Sequence, residues 1–184
     1  TNLYKENGLA HNSCWDICQD SNGSMWFASY GGGVTKFDGK NFKSFTTKEG
    51  LPVNKTRKVV SFKDKIYVGT EYGISIIDIN SGKVVTPKEV FPHLGVFIVT
   101  EIFVYKEQIY FTALNEGLFK IENTGSFPKV VPVESYKNVY SAGVFQDKIY
   151  SSNKGFVNSI NLDSKEKKRR ETFGESIIWE CAQD

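Results

Sequence analysis

The sequence predicts an all-β fold, a β-propeller of about four four-stranded antiparallel blades. One short apolar segment returns four times in the 184 residues, and its starting positions differ by 41, 43 and 40. β-branched and aromatic residues dominate the apolar runs, and helical apolar spacing is absent from every window of 11 or more residues. Four short strands in a period of about 41 residues are typical of a propeller blade. The four copies are Met25–Ser29, Ile66–Thr70, Ile109–Ala113 and Ile149–Asn153.

The other strands of each unit follow from that segment. A turn rich in Asp, Gly, Lys or Gln precedes each copy, and an earlier strand precedes the turn. A Gly and another apolar strand follow each copy, as in Gly33–Phe37 and Gly73–Ile77. A weaker fourth strand is predicted at Asn41–Phe45 and Lys83–Thr86. The predicted blade units are 7–46, 49–87, 94–132 and 136–173.

Both ends of the chain resemble parts of further blades. The segment from Ile178 to Asp184 repeats the one from Cys14 to Asp20, and Trp179 follows Trp15 by four periods of 41. We therefore expect residues 174–184 to be the inner strand of a next blade. The expected architecture for residues 1–184 is a partial propeller with stubs of neighbouring blades, a fragment of a larger ring.

Charge and hydropathy exclude two classes of partner. The chain has 23 basic and 21 acidic side chains, a formal net charge of +2, so neither nucleic acid nor an anionic membrane surface is expected as a partner. The longest apolar stretch, from Leu94 to Tyr105, is too short for a bilayer, which needs about 20 residues. No direct membrane insertion is expected. The basic run from Lys165 to Arg170 is interpreted as a solvated outer turn and edge strand.

The three cysteines are predicted to be free, small, buried residues. Along one strand, Cys14 and Cys18 would lie about 13 Å apart, too far for a disulfide. Cys14 and Cys18 have no second pair at metal-ligand spacing, because Cys181 is a single cysteine. No structural or catalytic metal is expected.

Catalytic motifs are absent from the sequence. It contains no Gly-x-Ser-x-Gly elbow, no phosphate-binding loop and only two histidines, His11 and His93. We therefore predict no catalytic residues and no cofactor. A glycan lyase or hydrolase stays open as an alternative, because Asp16, Glu101 and Glu180 share one position in successive inner strands.

Two columns of residues in the aligned inner strands predict a binding site. The first column contains Trp15, Arg57, Thr100, Tyr140 and Trp179, and the second contains Asp16, Lys58, Glu101, Ser141 and Glu180. Inner strands line the channel of a propeller, so these columns are expected to ring one mouth. Aromatic faces with charged hydrogen-bonding groups suit a small-molecule or oligosaccharide ligand. The predicted ligand-binding residues are Trp15, Asp16, Arg57, Thr100, Glu101, Tyr140 and Trp179. Aromatics wedged between blades are the structural alternative.

Several segments resemble the repeat of a known family. Asn7–Ser13, Trp15–Ile17, Gln19–Ser29 and Gly32–Gly39 together resemble a two-component regulator propeller repeat, and the unit from Glu49 to Gly82 matches it well. The third and fourth units keep the strand, Gly and strand core but lack the Gly-Leu-x-x-Asn opening. The resemblance implies a periplasmic sensor region of a hybrid histidine kinase that senses glycans, with its kinase outside this chain. It also implies a homodimer in the full sensor.

Two other interpretations remain open. Lys65–Gly73 and Ile79–Lys83 resemble one repeat of quinoprotein-like or outer-membrane assembly propellers, which implies a binding or assembly scaffold. The docking Trp of those families is absent, since Val84 and Val85 follow. In the other interpretation the propeller serves as a dimerisation and signal-transmission scaffold, and the ligand binds at a partner surface.

Overall fold

The structure is a computed structural model that describes residues 5–86, 89, 95–124, 127–134, 139–146, 148–153, 156–161, 164 and 166–171. A short 3-10 turn, Lys5–Asn7, precedes the strands. Blade 1 contains β1 (Cys14–Gln19), β2 (Met25–Ser29), β3 (Gly33–Phe37) and β4 (Phe42–Phe45). Blade 2 contains β5 (Thr56–Phe62), β6 (Lys65–Thr70), β7 (Gly73–Asp78) and β8 (Val84–Val85). Blade 3 contains β9 (Val99–Tyr105), β10 (Gln108–Ala113), β11 (Gly117–Thr124) and β12 (Phe127–Glu134). Blade 4 contains β13 (Val139–Phe145), β14 (Lys148–Asn153), β15 (Phe156–Ile160) and β16 (Lys167–Glu171).

Each blade is one antiparallel sheet whose four strands pair in chain order. The predicted fold class, all-β with four sequential four-stranded antiparallel sheets, is confirmed. The first strands of neighbouring blades contact one another, β1 with β5, β5 with β9 and β9 with β13. They are therefore the inner strands. The strand expected at 174–184 lies outside the described residues.

The core consists of layers between blades. Because successive side chains of a strand point to opposite faces of the sheet, one central strand serves two layers. In β6, Ile66 and Val68 pack with blade 1, whereas Tyr67 packs with blade 3. Trp26 of blade 1 and Phe111 of blade 3 are fully buried in these two layers. Burial on both faces explains the almost continuous apolar runs of the sequence.

Every inner strand carries an irregularity at the same place. The register between first and second strands shifts between Cys14 and Asp16 in blade 1, and at the equivalent point in the other three blades. One extra residue therefore stands in a β-bulge, which changes the direction of its side chain. The four bulged residues are Trp15, Arg57, Thr100 and Tyr140. These are the first-column residues of the sequence, and their bulged backbone was not predicted.

The connectors from blade 1 to blade 2 and from blade 2 to blade 3 share one turn. The Glu49 carboxylate accepts hydrogen bonds from the Thr46 amide (2.8 Å) and hydroxyl (2.6 Å). Glu89 accepts the same two bonds from Thr86, at 2.7 and 2.9 Å. The connector before the third unit thus keeps a Thr-x-x-Glu turn, although the Gly-Leu-x-x-Asn pattern is absent from that unit.

The prediction of buried cysteines is wrong for Cys14, which is exposed, and only approximate for Cys18, which is half-buried. Both are free thiols, as predicted, and Cys181 lies outside the described residues. Cys14 is exposed because it begins an inner strand at the end of the blade rather than within an inter-blade layer. Burial, reinforced by the nearby Asp16 charge, raises the pKa of Cys18 to about 12, so its thiol stays protonated and unreactive.

None of the described helical segments is long and apolar enough to cross a membrane.

Candidate functional site

One end of blades 1 and 2 brings together five side chains, here called the mouth cluster: Trp15, Tyr30, Lys55, Arg57 and Glu71. Antiparallel pairing places the end of each second strand beside the start of its inner strand, Ser29 beside Cys14 and Thr70 beside Thr56. The loops that follow β2 and β6 therefore lie at the bulged end of β1 and β5. Tyr30 and Glu71 begin these two loops.

An aromatic stack forms one side of the mouth cluster. The rings of Trp15 and Tyr30 lie 4.8 Å apart and are almost parallel, with 13° between their planes. The Trp15 indole N–H donates to the Ser13 hydroxyl at 3.2 Å, which fixes the edge of the ring. Trp15 nevertheless remains 48% exposed. A large half-exposed aromatic ring held in a fixed orientation is suited to stacking on a ligand.

The guanidinium of Arg57 lies beside this stack. Its central carbon is 4.9 Å from the Trp15 ring centroid and 5.9 Å from that of Tyr30. If the Arg57 guanidinium lay on the face of Trp15 opposite Tyr30, its distance to the Tyr30 centroid would approach the sum of the Trp15–Tyr30 distance, 4.8 Å, and the Arg57–Trp15 distance, 4.9 Å. Tyr30 therefore covers one face of Trp15, and Arg57 does not lie directly opposite Tyr30 across that ring.

Glu71 holds the two cations of the mouth cluster. Its Oε1 accepts hydrogen bonds from Nη2 of Arg57 at 2.8 Å and from the Tyr30 hydroxyl at 3.3 Å, and its Oε2 pairs with Lys55 Nζ at 3.3 Å. The hydrogen bond from Arg57 is the main reason why the pKa of Glu71 is lowered, and Lys55 adds to it. The hydrogen bond to Glu71 raises the pKa of Lys55. All three groups are therefore charged at neutral pH.

The second column links the inner strands to one another. The Asp16 carboxylate of blade 1 accepts a hydrogen bond from the Val59 amide of blade 2 at 2.9 Å. Lys58 of blade 2 pairs with Glu101 of blade 3 at 3.1 Å. Burial raises the pKa of Glu101, although Lys58 partly offsets that effect. Asp16 and Glu101 thus take part in inter-blade contacts, so a catalytic pair of carboxylates finds little support here.

The structure brings only part of the predicted site together. Trp15 and Arg57 lie in contact. Thr100 instead shares a hydrogen bond of 2.7 Å with the Thr112 hydroxyl of its own blade. Tyr140 lies in β13 with its side chain outside the described part, and Trp179 lies outside the described residues. Their role as ligand-binding residues stays a prediction.

Three members of the mouth cluster were missed from sequence. Tyr30 and Glu71 each follow the second strand of a blade directly, and Lys55 directly precedes the inner strand of blade 2. The column comparison covers only the inner strands, and these three positions lie outside them. Aligning the loops before Gly33 and Gly73 would have found Tyr30 and Glu71. Tyr72, which is 51% exposed, follows Glu71 in the same loop.

Within the described residues, no group of three or more His, Cys, Asp and Glu side chains could hold a metal ion.

Comparison with protein-family models gives one match. Residues 8–31 match the family model of the two-component regulator propeller. This segment covers β1, β2 and the beginning of the loop that contains Tyr30. The sequence resemblance is thereby confirmed. No curated protein matches the sequence.

Solved structures of similar fold cover almost the whole chain. One, described as the extracellular domain of the hybrid two-component system BT3049 from B. thetaiotaomicron, is 18% identical with a TM-score of 0.75, over 95% of this chain and 27% of that one. Another, described as the extracellular domain of the one-component system BT4673 from B. thetaiotaomicron, is 13% identical with a TM-score of 0.76, over 99% and 26%. PorZ, a surface component of the type-IX secretion system of Porphyromonas gingivalis, is 13% identical with a TM-score of 0.65, over 91% and 23%.

This chain spans about a quarter of the length of those three proteins. At identities below 20% the likeness shows the fold, and function has to be argued from the site. The chain therefore has a β-propeller fold, and its residues 8–31 match the model of the two-component regulator propeller repeat.

Proposed function

We propose that this chain is part of the extracytoplasmic, periplasmic sensor propeller of a two-component system and binds an oligosaccharide at the mouth cluster. The family-model match at residues 8–31 supports the sensor role, as do the two similar structures described as extracellular domains of regulatory systems. Binding at the mouth would be transmitted to a kinase module outside this chain. The chain itself would bind its ligand without chemical change.

The half-exposed Trp15 is the observation that carries the ligand proposal. Trp15 stays 48% accessible although Tyr30 stacks on its ring and Arg57 approaches it. Tyr30 stacks on one face of the ring and Arg57 does not lie directly opposite Tyr30, so we expect the exposed part of the Trp15 ring to receive the apolar face of a sugar ring. The hydroxyl groups of the sugar would form hydrogen bonds with the charged side chains of the mouth cluster.

A second candidate function is a structural clamp between blades 1 and 2. Trp15 and Tyr30 belong to blade 1 and Arg57 and Glu71 to blade 2, so the same contacts join two sheets. A cation over an aromatic face is worth about 0.5 to 1 kcal/mol at an exposed site. Loss of the clamp would lower stability, whereas loss of the ligand site would lower affinity.

Calorimetric titration with a panel of acidic and neutral oligosaccharides separates the two candidates. We expect Trp15→Ala to weaken binding by about 1 to 3 kcal/mol, since a stacking contact with the ligand is lost. Phe145→Ala is the matched control, because Phe145 is 56% exposed and lies at the far end of an inner strand. A thermal melt of each variant accompanies the titration. If Trp15→Ala lowers only the melting temperature, or if no oligosaccharide binds, the clamp is favoured and the ligand proposal fails.

A further inference from the structure

We infer that the mouth cluster selects a negatively charged ligand, which Lys55 and Arg57 attract, and that Glu71 limits the strength of this attraction. The inference rests on the proposed function and goes beyond it in the charge class of the ligand and in the roles of Lys55 and Glu71. Neither residue lies in the columns that predicted the site from sequence.

The charge balance of the cluster favours an anion. Lys55 and Arg57 contribute +1 each and Glu71 contributes −1, which leaves one positive charge beside the Trp15 and Tyr30 stack. The nearest acid of the second column, Asp16, accepts a hydrogen bond from the Val59 amide. The next one, Glu101, is paired with Lys58. Within the mouth cluster itself the uncompensated charge is therefore positive, whereas the negative charge of Asp16 lies outside the cluster, at the Val59 amide.

Exposure shows how an anion would reach that charge. The side chain of Lys55 is 49% exposed, whereas those of Arg57 and Glu71 are 25% and 20% exposed. The Lys55 ammonium also lies 5.3 Å from the Tyr30 ring centroid, so it borders the aromatic stack. Lys55 is therefore the most exposed of these three charged side chains. Lys55 is thus placed to receive a carboxylate or sulfate substituent of a sugar.

Glu71 is a fixed counter-charge beneath this position. Arg57, Tyr30 and Lys55 all donate to its carboxylate, which therefore keeps both cations in place at the mouth. Its negative charge also weakens the attraction of the two cations for an outside anion. Replacing Glu71 by a neutral residue should consequently strengthen the binding of an anionic ligand and leave a neutral one unaffected.

The chemistry of the site points to a sugar that has both an apolar ring face and one acidic substituent, as in uronic acids and sulfated sugars. The aromatic stack would take the ring face, and the single net positive charge would take the acidic group. Neither the aromatic stack nor the single net positive charge requires a ligand with several phosphate groups.

The test uses uronic-acid oligosaccharides of plant and animal origin together with their methyl esters, which keep the sugar rings and lose the charge. We expect the acids to bind more tightly than the esters and their affinity to fall with added salt. Lys55→Gln should weaken the acids about tenfold and leave the esters unchanged. Glu71→Gln should strengthen the acids about threefold or more.

Lys65→Gln is the matched control for Lys55→Gln. Lys65 is 47% exposed and pairs with Asp78 at 3.6 Å, but it begins β6 at the end of the blade away from the mouth. It should change no affinity. If acids and esters bind equally in all variants while Trp15→Ala weakens both, the charge inference is overturned and the proposed function stands. If neither acids nor esters nor neutral oligosaccharides bind, both are overturned. A melt of Glu71→Gln checks its fold, and Lys55→Gln carries the test if that variant unfolds.

Discussion

Blades 1 and 3 share a backbone at the mouth and differ in what they present there. In blade 1 the bulged residue is Trp15, which remains half exposed and stacks on Tyr30. In blade 3 it is Thr100, whose hydroxyl is hydrogen-bonded within its own blade. The aromatic and charged site therefore occupies the side of the mouth formed by blades 1 and 2.

A repeated backbone hydrogen bond proves that these positions correspond. In blades 1, 2 and 3, the amide of the residue after the second strand donates to the carbonyl of the residue before the inner strand. The three bonds are Tyr30 to Ser13 (3.1 Å), Glu71 to Lys55 (3.2 Å) and Leu114 to Ile98 (2.8 Å). At the two sites where blade 2 has Glu71 and Lys55, blade 3 thus has Leu114 and Ile98. The repeated backbone therefore supports the fold, whereas a few side chains at equivalent positions of the blades form the site.

The largest effect is expected at a shared backbone position. Gly33 has φ +71, and a Cβ there would lie 2.2 Å from the Phe45 carbonyl oxygen. Gly33→Ala should therefore lower the free energy of unfolding by about 3 kcal/mol or more, from strain and a backbone clash. Urea unfolding measures the loss. Gly39→Ala is the control, since Gly39 has φ +95 but no atom within 4 Å, and should cost only about 1 kcal/mol. Equal losses would show that the shared glycine position is not special.

An intermediate effect is expected at the turn between β1 and β2 of blade 1, which contains a buried aspartate. The buried Asp20 carboxylate accepts hydrogen bonds from the Trp26 indole (2.8 Å) and the Ser24 amide (2.9 Å). Burial raises the pKa of Asp20, but these bonds, with the Asn22 amide and Lys36, outweigh it and leave the pKa below its usual value. Asp20→Asn should cost about 1 to 3 kcal/mol at pH 7, because one amide donor would face the indole N–H.

The same carboxylate predicts a pH dependence. With the folded pKa below the unfolded one, its stabilisation is complete above about pH 4, the ordinary pKa of Asp, and is lost as the pH falls through the folded pKa. The difference in unfolding free energy between wild type and Asp20→Asn should therefore shrink in acid. Denaturant unfolding between neutral pH and about pH 3 measures it. A difference that stays constant over this range would contradict the role given to the carboxylate.

The strands could be predicted from sequence, and most of the mouth could not. The apolar runs that start at Met25 and Ile66, each followed by a Gly at a similar distance, are enough to place the strands because both faces of each sheet are buried. The first column likewise predicts that Trp15 and Arg57 line the same mouth, and the two side chains lie in contact there. The bulge could not be predicted, because the bulged residues share no side-chain chemistry. Lys55 and Glu71 come together because the antiparallel pairing of β5 and β6 places the residue before β5 beside the residue after β6.

The most direct measurement uses a variant in which the bulged residues of blades 1 and 2 are replaced by threonine, the residue at the bulge of blade 3. In the double variant Trp15→Thr and Arg57→Thr, calorimetric titration with the acidic oligosaccharides is paired with a thermal melt. We predict that binding falls at least tenfold while the melting temperature changes by only a few degrees, since each lost contact is partly exposed. Undiminished binding, or a large fall in melting temperature without a loss of affinity, would contradict the assignment of the mouth cluster as a ligand site.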